Sequence, residues 1–241
     1  MIRVSILGGF DGYQESKSYP KQHYCYIRPL TVPMNGFLKT VKCPKKFGQP
    51  EDAVQKIGNF AVLCPIDKIP TVAIGDKINL SAICWPVTRP VWSTREKAII
   101  HSRELNPVFT LDGDIKSTSV KSTPPAFTSE LYFSGAVRQS SSDIFLECIQ
   151  DEAPPEGILR TVRIRKGKDY VSGTESLGMV KIHTSAGNLP ATAPNTPLKI
   201  KGQCWPVLTP YFSEKISSVE YSKVPDVVFV ASEISQVKAA S

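Results

Sequence analysis

Histidine is scarce in this chain: three residues in 241 (His23, His101 and His183), none beside a serine, cysteine or aspartate in a nucleophile motif. No GxSxG, HExxH or phosphate-cradling glycine loop occurs, and Gly8-Gly9 ahead of Asp11-Gly12 is turn-like, not GxGxxG. The expectation is a protein that is not an enzyme and carries no cofactor. Six cysteines (Cys25, Cys43, Cys64, Cys84, Cys148, Cys204) show no CxxC spacing and no accompanying His cluster, which argues against a metal site. No apolar run approaches the roughly 18 residues needed to span a bilayer, so no transmembrane segment is expected. Met1–Phe10 has one arginine and too short an apolar stretch for a signal peptide. These absences predict a cytoplasmic protein with reduced, mostly buried thiols.

Acidic residues are outnumbered, 22 against 29 Lys and Arg, for a net charge of +7. The excess is uneven: 16 cations against 10 anions up to residue 120, then 13 against 12. A balance of this sign favours an acidic partner, nucleic acid or an anionic lipid surface, and points to the first half as the contact.

What the chain does have is a repeat. Cys84-Trp-Pro-Val87 returns as Cys204-Trp-Pro-Val207, an offset of 120, and the same offset matches Gly58 with Gly178, Pro90 with Pro210 and Val108-Phe109 with Val228-Phe229. One residue out of register, Gly36-Phe-Leu-Lys-Thr-Val-Lys42 answers Gly157-Ile-Leu-Arg-Thr-Val-Arg163, with basic positions staying basic. Such self-similarity reads as tandem duplication. Twenty prolines lie between apolar runs, which suits short strands joined by turns. In Lys77–Trp85, Ile78, Leu80 and Ala82 alternate with Asn79, Ser81 and Ile83, the period of a strand with one buried face. Helix signals are weak; Glu51–Lys56 has acids at its start, as a short helix or turn would. The expected fold is all-β: two tandem duplicated small β-sandwich or barrel domains, residues 1–111 and 127–241, packed as a pseudo-dimer. Between them, residues 112–126 form a Ser/Thr/Pro linker. Gly167–Gly173 and Ser185–Pro197 read as exposed loops and 236–241 as a fraying tail.

Two constellations stand out. In the first, Cys84, Trp85, Pro86 and their counterparts Cys204, Trp205, Pro206 end an alternating apolar strand. They read as core or inter-domain packing, with base stacking by the tryptophans as the competing use. In the second, Lys39, Lys42, Lys45 and Lys46 are matched by Arg160, Arg163, Arg165, Lys166 and Lys168. Convergent cations of this kind suit phosphate, lipid or nucleic acid, and Phe37, Phe47 and Tyr170 lie close in sequence for stacking. A strand edge charged against aggregation would show the same pattern.

Ile57-Gly-Asn-Phe-Ala-Val-Leu63, a proline-bounded turn, and then Lys77–Trp85 resemble the N-terminal β-domain of matrix proteins from negative-strand RNA viruses of the pneumovirus, filovirus and paramyxovirus types. The resemblance implies a non-enzymatic assembly protein that forms homo-oligomers under an anionic membrane and contacts a nucleoprotein, in a virion or at the inner membrane face. A different class is a single-strand nucleic-acid binder built from two tandem small β-barrels of oligonucleotide-binding type; a viral capsid or movement protein is a third.

Overall fold

The computed structural model describes residues 1–140, 143–185 and 193–237; the expected loop over 185–197 and the tail over 236–241 fall largely outside them. The first half comprises β1 (Ile2–Glu15), β2 (Gln22–Pro29), β3 (Thr40–Cys43), β4 (Glu51–Val54), β5 (Lys56–Ile57), β6 (Phe60–Pro65), β7 (Lys77–Ser93) and β8 (Ala98–Leu111), followed by the short β9 (Lys116–Ser117). The second comprises β10 (Ala126–Ser140), β11 (Asp143–Ile149), β12 (Thr161–Lys166), β13 (Asp169–Thr174), β14 (Ser176–Leu177), β15 (Val180–Thr184), β16 (Pro197–Leu208), β17 (Pro210–Ser213), β18 (Ser218–Tyr221) and β19 (Asp226–Gln236). Among the described residues the helical content is one 3-10 turn, Ile66–Lys68. The protein is all-β.

Each half closes a circuit of five strands. β1 pairs with β2, β2 with β6, β6 in parallel with β8, β8 with β7, and β7 returns to β1. Likewise β10 pairs with β11, β11 with β15, β15 in parallel with β19, β19 with β16, and β16 returns to β10. One parallel contact in an otherwise antiparallel five-strand circuit is the strand order of the Greek-key barrel of oligonucleotide-binding type. Alternation builds its inside: Ile78, Leu80, Ala82 and Cys84 of β7 are buried while Lys77 and Asn79 are exposed. β1 and β10 pair antiparallel with Val4 opposite Phe127, so one sheet and one apolar cluster run through both barrels.

The segments between the second and third strands of each circuit do not stay on their own barrel. β5 pairs with β16 of the second half, Ile57 opposite Val207, and β14 pairs with β7 of the first, Leu177 opposite Val87. Gly58 N–H donates to the Pro206 carbonyl at 2.8 Å, and Gly178 N–H to the Pro86 carbonyl at 2.7 Å. Phe37 lies against the Trp205 ring, centroids 6.2 Å apart, while Ile158 shares an apolar cluster with Trp85. Each half thus lends an arm that covers the outer face of the other half's Cys-Trp-Pro-Val segment. That is why β7 switches from one-sided alternation to unbroken burial over Cys84–Thr88, and β16 over Cys204–Val207. Covering a tryptophan in this way is worth several kcal/mol, on the scale of about 3–5 kcal/mol for Trp-to-Ala truncation in cores.

Two local expectations are corrected. Glu51–Lys56 is not a helix or turn but strand β4 followed by β5, because its acids face basic partners across the hairpin: Asp52 stands opposite Lys42, and Glu51 bonds Lys45 Nζ at 2.8 Å. Gly167–Gly173 is not a loop but a tight turn leading into β13, with Gly167 at φ +63° and Tyr170 opposite Arg165. Within the segment read as a linker, β9 adds to the edge of β7.

Candidate nucleic-acid interface

The predicted basic residues fall on the two exchanged arms, in two separate groups. On the first arm, the β3–β4 hairpin packs against β17 of the second half. Lys45 Nζ lies 4.6 Å from the Phe212 ring centroid as well as on Glu51, Lys46 Nζ lies 5.3 Å from Phe47, and the Lys46 backbone N–H donates to Glu214 Oε1 at 2.6 Å. Lys42 is exposed on β3, and Lys39 precedes that strand. On the second arm, the β12–β13 hairpin packs against β7. Arg163 and Arg165 are exposed on either side of buried Ile164, Arg163 over Tyr170 at 4.8 Å and Arg165 Nε donating to the Gly167 carbonyl at 3.0 Å. Lys166 Nζ lies 4.4 Å over Trp92, and Lys168 is exposed in the turn. Because the arms cross, the lysines of the first arm sit against the second barrel, so charge counted along the sequence does not map onto barrels.

The Cys-Trp-Pro-Val residues are placed inside. Cys84 and Cys204 are fully buried, and burial pushes both thiols well above the ordinary range. Trp85 and Trp205 are also buried, and Trp85 Nε1–H donates to Thr110 Oγ1 at 3.0 Å, satisfying its one donor. Pro86 and Pro206 offer only carbonyls, and those are the acceptors the arm glycines use.

A cleft of about 580 Å³ opens on the β2–β6 face of the first barrel, and it is bounded on one side by residues 222–225 of the second half. Alternation on β2 turns Cys25 and Ile27 into the barrel and Tyr24 and Tyr26 outward. Tyr19, from the loop after β1, meets Tyr24 edge-on at 6.4 Å, and Tyr24 meets Tyr26 at the same spacing. Burial raises the Tyr19 hydroxyl to about 12 even though the nearby Arg160 charge opposes the shift, and burial also raises Tyr26. Arg160 reaches this cleft from the exchanged arm, 5.0 Å over the Tyr19 ring. Its guanidinium is fixed by Glu175, Nε to Oε2 at 3.0 Å and Nη2 to Oε1 at 2.7 Å, and Glu175 Oε2 also accepts the Arg160 backbone N–H at 3.1 Å. That bidentate bond holds the guanidinium pKa above its usual value. Arg89 and Lys223, both exposed, complete a cationic rim. The result is a set of half-buried aromatic faces under three positive charges, with one buried carboxylate committed to holding the nearest of them.

No family model matches the chain, and no curated protein is similar to it. Among solved structures, a deletion mutant of the single-stranded DNA binding protein from Thermus aquaticus is similar in shape: TM-score 0.47, 7% identity, 100% of this chain and 96% of that one covered. The matrix resemblance, and the membrane-assembly role it implied, are corrected by the two five-strand circuits, each with one parallel contact, which have the order of the oligonucleotide-binding barrel and not that of two packed sandwich sheets. Ile57–Leu63 runs from the end of β5 into β6 and Lys77–Trp85 lies in β7, apolar strands on either side of a proline-bounded connection, a pattern that unrelated antiparallel folds share. The strand order, not the likeness, carries the fold. Among the described residues no helix is long and apolar enough to cross a membrane, and no group of His, Cys, Asp or Glu is placed to hold a metal ion.

Sequence reasoning named one residue of the cleft, Arg160, and missed Tyr19, Tyr24, Tyr26, Arg89, Glu175 and Lys223. A signal was present in Tyr24-Cys-Tyr26-Ile, whose alternation puts two tyrosines on one face of a strand with the apolar partners on the other.

Proposed function

We propose that this protein binds single-stranded nucleic acid, without catalysis or cofactor. Two tandem barrels, residues 1–111 and 127–241, would act together, joined by 112–126. The observation that carries the reading is the cleft on the first barrel, where Tyr24 and Tyr26 present ring faces beside Arg160, Arg89 and Lys223. Unpaired bases stack on such rings for about 1–3 kcal/mol each, and every base has a face to offer, whereas a duplex hides them. The cations suit phosphates, and the strands 2–3 face of this barrel type is where oligonucleotides sit. Six free, buried cysteines support a reducing, cytoplasmic setting. Self-association belongs to the same reading, and sedimentation at the titration concentrations measures it. Fluorescence anisotropy with labelled oligothymidylate tests the function. Saturable binding that Tyr24→Ala weakens about tenfold or more supports it, and absence of binding at low salt refutes it.

A further inference from the structure

The second barrel carries a face equivalent to the tyrosine cleft, built with different chemistry. Its β11 and β15 occupy the circuit positions of β2 and β6, and the registers align Phe145 with Tyr24, Glu147 with Tyr26, Lys181 with Ala61 and His183 with Leu63. Phe145 and His183 stand opposite one another with ring centroids 5.8 Å apart, and Lys181 Nζ lies 5.6 Å from the Phe145 ring. Arg138 of β10 bonds Glu147 at 3.4 Å, in the position where Tyr26 bonds Gln14 in the first barrel. Lys39 comes from the other half's arm and acts on His183, as Arg160 acts on Tyr19. The arm latch is also repeated: Lys39 and Arg160 each donate their backbone N–H to a side chain, Gln55 in one and Glu175 in the other, and both acceptors donate their own N–H back.

We infer that this face is a second site for single-stranded nucleic acid, in which Phe145 and His183 receive a base and Lys181 and Arg138 hold its phosphates. This rests on the function proposed above and extends it to a second site with fewer stacking rings. Lys181 and Arg138 face one acid, Glu147, so the surface keeps a positive excess. Gln55 carries no charge to clamp a cation as Glu175 does, so the first arm latches by its backbone bond.

Titration of the full chain with oligothymidylate of about eight nucleotides, short enough to occupy one barrel, reads the number of sites. Wild type is expected to take two oligonucleotides. Phe145→Ala with Lys181→Gln is expected to take one, bound in the remaining Tyr24-dependent cleft, and Tyr24→Ala is expected to lose the other. The Lys181→Gln single variant leaves packing untouched and is expected to weaken the second binding step and reduce its salt slope by about one. Two sites persisting with unchanged affinity in both Phe145/Lys181 variants would overturn the inference, as would a single site in wild type that Tyr24→Ala abolishes. In either case the proposed function survives. No binding by any variant at low salt overturns both.

Discussion

Arg160 and Glu175 meet in a two-point bond, 3.0 and 2.7 Å, between a half-buried guanidinium and a carboxylate whose side chain is 1% exposed. The pair ties the exchanged arm to itself and poises a positive charge over Tyr19. Glu175→Gln keeps the shape but loses the charge assistance, and should cost about 2 kcal/mol of stability, on the scale of hydrogen bonds to charged groups. Denaturant unfolding measures it, and oligonucleotide affinity should fall as well, because Arg160 then loses its fixed position.

The arm exchange makes a second prediction. At Gly178 an added Cβ would press on Thr88 Cγ2 and on Leu105 Cδ2 at 2.7 Å, where the strand runs close enough for its N–H to reach Pro86. Gly178→Val should destabilise by about 1–3 kcal/mol, the range for overpacking. The equivalent Gly58 meets the side chain of Leu208 at 3.0 Å, so Gly58→Ala should cost less. Thermal melts of the two variants side by side check the order.

His183 provides a pH test. Burial first, then the charges of Lys39 and Lys181, hold its imidazole below the ordinary value. The unfolded chain therefore takes up this proton at a higher pH than the folded one does. Stability from His183 is fully present above the ordinary histidine pKa of about 6.5 and is lost as pH falls through the lower folded value. His183→Gln should flatten the fall in melting temperature below about pH 6.5, and an unchanged slope would remove His183 as its source.

Tyr24 and Tyr26 should contribute unequally to binding. Tyr26 spends its hydroxyl on Gln14 at 3.3 Å, and Tyr24 is packed between Tyr19 and Tyr26. Tyr24→Ala removes the ring at the centre of the row and should cost about 1–3 kcal/mol of affinity. Tyr24→Phe, which keeps the face, should cost little; anisotropy titration at fixed salt separates the two.

Much of the barrel was legible beforehand, because alternation such as Ile78, Leu80, Ala82 and burial of Cys84 are set locally by one covered sheet face. The arms were not. β5 and β14 are two residues each, too short for any periodic signal, and their partners lie about 150 and about 90 residues away along the chain, so only tertiary packing reveals that Gly58 belongs to Pro206. Arg163 and Arg165 lie on strand β12, yet nothing in the local pattern shows that Arg160 is committed to Glu175, fifteen residues on. Tyr24 and Tyr26 alternate with apolar Cys25 and Ile27 in the sequence but line a cleft only where Tyr19 and Arg160 are brought alongside.

The central claim is best tested by the affinity of the purified chain for single-stranded oligothymidylate and for a duplex of equal length, across a salt series. The account predicts saturable single-strand binding at low salt that weakens steeply and log-linearly as salt rises, with the duplex bound more weakly throughout. Failure to retain single strands at low salt, or equal affinity for the duplex, would contradict it.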